Sequence, residues 1–201
     1  MKLYVTNTSP YARIVRIVVW EKNLETRVET IVARTRVADS PYYRINPSGR
    51  VPYLVRDDGA GLEDSALICS YLDHLDGEPA FEPPAGEAGW EARRLEALAR
   101  SWLDAIAVWT RELRRPAGER SPTTIAHEED RSQRLADTWE VEIAGPLMQG
   151  PLNMAQIVIV SVCQYSLNAD FFWRHGRPNL AAWVDRIAER VSIAATAPPS
   201  K

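Results

Sequence analysis

The sequence predicts two domains, a small α/β domain over residues 1–77 and an all-helical domain over residues 90–201. In the first part, short β-prone runs alternate with turn residues. Residues 78–89 then hold three prolines and two glycines, a composition typical of a linker. Beyond residue 90, apolar residues recur at the three- and four-residue steps of helices that bury one face. A chain of 201 residues is long enough for two small domains with a core each.

The composition excludes several classes of protein. With 45% hydrophobic and 25% charged residues, the chain resembles an ordinary globular protein. Its net charge of -3 argues against nucleic acid as a main partner, which would require a basic surplus. The longest purely apolar runs, such as residues 157–160, fall far short of the roughly 18 residues that span a bilayer, so no membrane partner is expected. Polar residues from Asn7 to Arg13 interrupt any signal-peptide core, which makes a cytoplasmic location the expectation.

The cysteines and histidines predict no metal site. Cys69 and Cys163 each lie in an apolar segment, which favours two buried thiols over a disulfide or a metal centre. The three histidines, at positions 74, 127 and 175, form no ligand spacing with them.

Four strands are predicted in the first domain. Lys2–Thr6 and Arg27–Ala33 are β-prone runs bounded by turn residues. Pro52–Arg56 leads through an Asp- and Gly-rich turn to Leu62–Glu63, a pattern typical of a hairpin.

Two helices are predicted between and after these strands. The run Ile14–Trp20 is β-branched and favours a strand on propensity alone. We nevertheless predict a helix over Pro10–Leu24, because Ser9 is a typical N-cap and Pro10 stands at the first helical position. A second helix is predicted over Ser65–Leu75, directly after Asp64.

The second domain shows helical periodicity throughout. Apolar residues of a first long helix form one stripe, comprising Leu95, Leu98, Trp102, Ile106, Trp109 and Leu113. A second helix repeats the pattern at Leu135, Trp139, Ile143 and Leu147. A third helix is predicted to start at Asn153 with a variant capping box, in which Gln156 reaches back to the cap. A fourth is predicted over Asn179–Val191. The tryptophans on these stripes are therefore expected to be mostly core.

Ser9 is the first candidate for chemistry. It places a hydroxyl at the start of a helix directly after a strand, where unpaired amides favour a negative charge. A bound thiolate would gain from this field, because a free thiol has a pKa of about 8.5 and only its anion is a good nucleophile. A serine before a proline is, however, most often a plain cap.

Two further segments could bind a peptide-like ligand. A cis Val51–Pro52 bond would turn the Val51 amide and carbonyl outward to pair with an extended peptide, although a trans proline at a sheet edge is commoner. Asp64 and Ser65 start the second helix with an acid and a hydroxyl, which suit the two charges of an amino-acid end. Each of these is also a typical structural cap or turn.

Taken together, the motifs resemble those of the cytosolic glutathione transferases, of the bacterial type that carries a serine. The resemblance covers nearly the whole chain and rests on four motifs in order, Ser-Pro-Tyr-x-Arg from residue 9, Asn-Pro-x-Gly-Arg-Val-Pro from residue 46, Glu-Asp-Ser from residue 63 and Arg-Pro-Asn-Leu-Ala-Ala-Trp from residue 177. It implies a thioredoxin-like N-terminal domain packed against a helical domain, usually as a homodimer. It also implies glutathione as co-substrate, with no metal.

The resemblance implies a role for each candidate residue. Ser9 would be the catalytic hydroxyl that hydrogen-bonds the glutathione sulfur. The residues that would hold the rest of glutathione are Arg50, Val51, Pro52, Asp64, Ser65 and Asp104. Arg50 could instead be a solvated turn arginine, and Asp104 a solvated or ion-paired side chain. Redox relatives carry cysteines where Ser9 and Ala12 stand here, which excludes a glutaredoxin-type dithiol cycle.

The electrophile would lie between the domains in this family, with Tyr11, Ile106 and Trp109 as candidate contacts. Helical spacing equally makes the last two core residues. The implied function is attack of glutathione thiolate on a small hydrophobic electrophile in detoxification. The alternative is a non-catalytic binding or regulatory module on the same fold.

Overall fold

A computed structural model describes residues 1–198, apart from the side chain of residue 88, and divides the chain into two compact units. The first unit comprises Met1–Glu82 together with residues 192–198, and the second comprises Pro83–Val191. The sequence-based boundaries assign that last segment to the helical domain. It joins the first unit because buried Arg13 donates a hydrogen bond to the Ile193 carbonyl at 3.1 Å, and Ser192 hydrogen-bonds the Glu21 carboxylate.

The first unit is built on a four-stranded mixed sheet in the order β2-β1-β3-β4. The strands are β1 (Lys2–Val5), β2 (Glu29–Val32), β3 (Tyr53–Val55) and β4 (Gly61–Glu63). β1 runs parallel to β2 and antiparallel to β3, and β3 and β4 form the predicted hairpin. All four predicted strands are thus confirmed; the first three are shorter than their β-prone runs, and β4 begins one residue earlier than predicted.

Two helices of the first unit pack against each other, α1 (Pro10–Glu21) and α2 (Ser65–Asp73). The β-branched run in α1 is helical because its side chains, including Ile14, Ile17 and Val18, are fully buried. Burial on one helix face therefore outweighs the weak strand propensity of these residues.

The second unit is entirely helical, as predicted. Its helices are α3 (Trp90–Leu113), α4 (Pro122–Glu142), α5 (Pro146–Gln149), α6 (Met154–Tyr165) and α7 (Pro178–Ala188), and α8 (Val191–Ala195) leads back to the first unit. α3 packs against both α4 and α6. Trp102 and Trp139 are fully buried between these helices, which confirms that they are core residues.

Two details of the helical prediction are wrong. The stripe from Leu135 to Leu147 is divided between two helices, because Pro146 lacks the amide needed to continue α4 and instead opens α5. Asn153 does cap α6 by accepting from the Gln156 amide at 3.1 Å. The Gln156 side chain does not reach back, however, because it is buried and donates to the carbonyls of Leu147 and Gly150.

Both cysteine side chains are buried, as predicted, and neither forms a disulfide. Burial raises the pKa of the Cys163 thiol far above its ordinary value, so that thiol stays protonated. Within residues 1–198, no helix is both long and apolar enough to cross a membrane. Over the same residues, no three His, Cys, Asp or Glu side chains are grouped so that they could hold a metal ion.

Candidate functional site

Ser9 lies half-buried between the end of β1 and the start of α1. Its Oγ accepts a hydrogen bond from the Ala12 amide at 3.2 Å, so the residue is an N-cap. This bond uses a lone pair of the hydroxyl oxygen and leaves the hydroxyl proton. Within the described chain, that proton has no acceptor. Ser9 can therefore cap α1 and still donate to an anion in front of the helix.

The electrostatic field at this helix start is positive. The first turn of α1 contains no acidic residue, and the helix dipole places partial positive charge there. Arg13 lies one turn into the helix and is buried, and its Nε and Nη1 have no partner within residues 1–198. Burial and the neighbouring Arg16 lower the pKa of Arg13 to about 10, which still leaves it charged at neutral pH. An anion is accordingly favoured at this position.

The segment before β3 presents free backbone groups. The Val51–Pro52 bond is cis. The Arg50 carbonyl accepts hydrogen bonds from the Tyr42 hydroxyl and, at 3.0 Å, from the Asn46 side-chain amide. The backbone N–H and carbonyl of Val51, by contrast, have no hydrogen-bond partner in the described part of the chain. These two groups are available to an extended peptide.

Gly49 allows this segment to make its turn. Its φ of +67° is one that residues with side chains rarely adopt, and a Cβ here would lie 2.7 Å from Cε1 of Tyr43. Glycine is therefore required both by the backbone conformation and by the close approach of the Tyr43 ring.

Asp64 lies at the start of α2 in an unusual backbone conformation, with φ +80° and ψ 126°. Its Oδ1 accepts from the amides of Ala66 at 2.8 Å and Leu67 at 3.2 Å. Its Oδ2 makes no hydrogen bond with residues 1–198 and is available to a cation. Strained residues of this kind, costing on the order of 1–3 kcal/mol, concentrate at binding sites. The neighbouring Ser65 is buried.

The strand register brings these three positions to one edge of the sheet. Tyr4 at the end of β1 pairs with Tyr53 at the start of β3, and Tyr53 pairs with Glu63 at the end of β4. Ser9 follows β1, Val51 precedes β3 and Asp64 follows β4, so all three lie at that edge. Strands are spaced about 4.8 Å apart, which gives a row about 10 Å long. An extended tripeptide spans about the same distance.

The other candidate residues are distributed over both units. In the first unit, Arg50 is exposed and its side chain makes no hydrogen bond or ion pair with another described residue, and Tyr11 is half-buried on α1. In the second unit, Asp104 is exposed on α3, whereas Ile106 is fully buried. Trp109 is also buried and packs on Phe171, with ring centroids 5.6 Å apart. Packing in the core thus accounts for Ile106 and Trp109.

Two residues of this site, Tyr42 and Asn46, could not be identified as such from the sequence. Tyr42 does not belong to any motif, and Asn46 was identified only as the first residue of the motif that contains Val51 and Pro52. Both donate to the carbonyl next to Val51, a contact that sequence spacing does not reveal. The Asn-Pro pair before a glycine is the only sequence signal that could have pointed to Asn46.

Comparison with known proteins shows which proteins this chain is similar to. The family model of the glutathione S-transferase N-terminal domain matches residues 8–75. The chain is 32% identical to the GST-like protein YibF of Escherichia coli strain K12 over 203 residues, which cover 99% of each protein.

Solved structures support the same fold over the whole chain. A glutathione transferase family member from Pseudomonas fluorescens Pf-5, with bound glutathione, is 30% identical and has a TM-score of 0.88, with 99% of each chain covered. A glutathione S-transferase from Methylobacillus flagellatus KT, with glutathione bound, is also 30% identical with a TM-score of 0.88, covering 98% of this chain and 99% of that one.

Proposed function

Because the chain belongs to the glutathione S-transferase family, we propose that it binds glutathione at the sheet edge of its first unit and activates the thiol for attack on a small hydrophobic electrophile. One observation carries this proposal. A hydroxyl donor, a free stretch of backbone and a free carboxylate oxygen lie next to the same end of three neighbouring strands. Helix caps and a turn that served only the fold would not need these three groups aligned and unpartnered.

In this proposal each group recognises a different part of glutathione. The Val51 amide and carbonyl, next to Pro52, pair with the cysteinyl backbone. Asp64 accepts from the γ-glutamyl ammonium through its free oxygen, while Ser65 at the start of α2 holds the γ-glutamyl carboxylate. Arg50, exposed and without a side-chain partner, binds the glycyl carboxylate.

The chemical step begins with loss of the thiol proton to solvent. The Ser9 hydroxyl then donates to the thiolate, and the start of α1 with the buried Arg13 charge stabilises the anion. A decrease of two pKa units needs about 2.7 kcal/mol, within reach of one charge-assisted hydrogen bond and a helix field. The sulfur electron pair forms a bond to the electrophilic carbon, and the leaving group departs with the pair of the broken bond.

The wider role follows from the same proposal. The protein would act in the cytoplasm in detoxification, as a homodimer in which Asp104 reaches the glutathione of the partner subunit. Of the three candidate contacts of the electrophile, half-buried Tyr11 remains a proposed contact, whereas Ile106 and Trp109 are buried in the core of the second unit. Sedimentation of the purified chain tests the dimer, and a monomer would remove the role of Asp104.

The central test combines glutathione calorimetry with turnover of an aryl halide. We expect the wild-type protein to bind glutathione and to conjugate it. Ser9→Ala should keep glutathione affinity within a few-fold and lose roughly 10- to 50-fold in kcat/KM near pH 6.5, because most of the two-unit decrease in the pKa of the bound thiol is lost. Ser9→Thr retains a hydroxyl and a cap and is the matched control.

Three results would change the proposal. Full turnover in Ser9→Ala would assign thiol activation to another group. Glutathione binding without turnover in the wild-type protein would indicate a non-catalytic binding module. A wild-type protein that binds no glutathione would overturn the proposal altogether.

A further inference from the structure

We propose that Tyr42 and Asn46 are positioning residues for glutathione, which orient the Val51 amide by holding the carbonyl of Arg50. This inference rests on the proposed glutathione site and adds two residues to it. Neither side chain hydrogen-bonds to Ser9, Val51 or Asp64. Both act through the peptide unit that joins Arg50 to Val51.

The geometry of that peptide unit carries the inference. The cis bond lies one residue later, so the Arg50–Val51 peptide is trans. In a trans peptide the carbonyl and the N–H are coplanar and point in opposite directions. The Tyr42 hydroxyl and the Asn46 amide both donate to this carbonyl. Two donors on one side fix the plane and leave the Val51 N–H directed to the other side, where it has no partner within residues 1–198.

The two donors are themselves held in place. Asn46 is almost fully buried, and its Oδ1 accepts from the Ser48 amide at 3.1 Å, which orients its Nδ2 toward Arg50. The Tyr42 ring is buried and lies against Tyr4, with centroids 5.4 Å apart. Burial also raises the pKa of the Tyr42 phenol above its ordinary value, so the hydroxyl remains a donor at neutral pH.

Holding the carbonyl affects ligand binding in two ways. It fixes the Val51 N–H before glutathione arrives, so less ordering accompanies binding. Hydrogen bonds to a carbonyl also polarise its peptide, which strengthens the N–H as a donor by roughly 10–30% per bond. Both effects concern the affinity for the glutathione main chain and leave the sulfur unaffected.

The variants Tyr42→Phe and Asn46→Asp test this role. Tyr42→Phe keeps the ring and removes only the hydroxyl. Asn46→Asp keeps the acceptor for the Ser48 amide and removes the donor to Arg50. We expect calorimetry to show the Kd for glutathione raised roughly 3- to 10-fold by Tyr42→Phe and at least as much by Asn46→Asp. KM for glutathione should rise in parallel, with kcat and the pKa of the bound thiol unchanged.

Ser40→Ala is the matched control. Ser40 caps the same short helical turn, Pro41–Arg44, by accepting from the Tyr42 amide, and it also donates to the Arg34 carbonyl. It has no hydrogen bond to Arg50. Removal of the Ser40 hydroxyl loosens the same segment. If Tyr42 and Asn46 act only through the Arg50 carbonyl, Ser40→Ala should change the Kd for glutathione by less than about twofold.

The outcomes separate this inference from the proposed function. A wild-type protein that binds glutathione, with Tyr42→Phe binding equally tightly, overturns the positioning role and leaves the proposed function intact. Equal weakening by Ser40→Ala also overturns it, because the effect would then be a general loosening of the segment. A wild-type protein without glutathione affinity overturns both. If Asn46→Asp fails to fold, the comparison of Tyr42→Phe with Ser40→Ala decides the question.

Discussion

The two helix starts of the first unit solve the same structural problem with opposite chemical consequences. Ser9 and Asp64 both cap a helix by accepting from amides of its first turn. The serine keeps a free hydroxyl donor, which suits an anion such as a thiolate. The aspartate keeps a free carboxylate oxygen, which suits an ammonium group. A capping role and a ligand-binding role are therefore compatible at each position.

Ser9 and Asp64 differ more in their backbone conformation than in their capping hydrogen bonds. Ser9 has an ordinary φ of -80°, and an N-terminal cap would occur there with or without a ligand. Asp64 has a φ of +80°, a conformation that a cap alone does not require. Strain is thus a better indication of function at Asp64, whereas at Ser9 the indication comes from the unused hydroxyl proton.

Among the variants that separate the roles of Ser9 and Asp64, Asp64→Asn should have the largest effect, a loss of glutathione affinity. Asparagine caps helices as well as aspartate, so stability should change little, but the negative charge on the free oxygen is lost. Removing a charge-assisted hydrogen bond of about 1.5–3 kcal/mol should weaken glutathione binding roughly 10- to 100-fold. Calorimetry at neutral pH measures this change. Unchanged affinity would show that Asp64 serves only as a cap.

Ser9→Ala and Asn153→Ala should each lower the free energy of unfolding by about 1 kcal/mol through loss of a cap. Urea unfolding measures this cost. Asn153 caps α6 in the second unit and has no proposed contact with glutathione. We therefore expect Asn153→Ala to retain full turnover while Ser9→Ala loses it. Equal loss of activity in both variants would mean that stability, not the hydroxyl, controls activity.

Asp64→Gly should have a smaller effect on stability, of opposite sign. Glycine adopts a φ of +80° freely, and a glycine cap is only a few tenths of a kcal/mol weaker than aspartate. Relief of strain should give a net gain of about 0.5 kcal/mol in urea unfolding, while glutathione affinity falls as in Asp64→Asn. A clear loss of stability would show that Asp64 is not strained.

The smallest effect is expected at the C-terminal end of α2, where His74 makes the stability depend on pH. The pKa of His74 is raised above its ordinary value, first by its hydrogen bond to the Ser70 carbonyl and then by the Glu82 carboxylate. Its stabilising contribution is therefore fully present below pH 6.5, the unfolded value, and is lost as the pH rises through the higher folded pKa.

Replacing His74 with Gln should flatten this pH dependence. Urea unfolding of wild type and His74→Gln from acidic to mildly alkaline pH checks the slope. If His74 instead made the wild-type protein more stable as the pH rises over this range, the assigned upward shift of its pKa would be wrong.

Local sequence information was sufficient for most of the first unit. The strands and α1 were predictable because alternation, the Ser9-Pro10 start and turn glycines act over a few residues. Even the break between α4 and α5 was visible in principle at Pro146. These features depend on residues close together in the chain, so they can be predicted directly from one sequence.

The remaining features depend on partners far away in the chain. Nothing near Gln156 indicates that its side chain would turn to the carbonyls of Leu147 and Gly150. Arg13 meets Ile193 across 180 positions, which is why the return of the last segment was not predicted. The alignment of Ser9, Val51 and Asp64 likewise depends on the strand register. In the sequence, only the family resemblance indicated that these residues bind one ligand.

The most direct test of the central claim is an ultraviolet titration of the thiolate of bound glutathione in wild type and Ser9→Ala. The account predicts that the bound thiol of the wild-type protein has a pKa about two units below the free value of about 8.5. In Ser9→Ala, most of that shift should be lost while glutathione stays bound. A bound thiol with the same pKa in both proteins would contradict the claim that the hydroxyl at the start of α1 stabilises the thiolate.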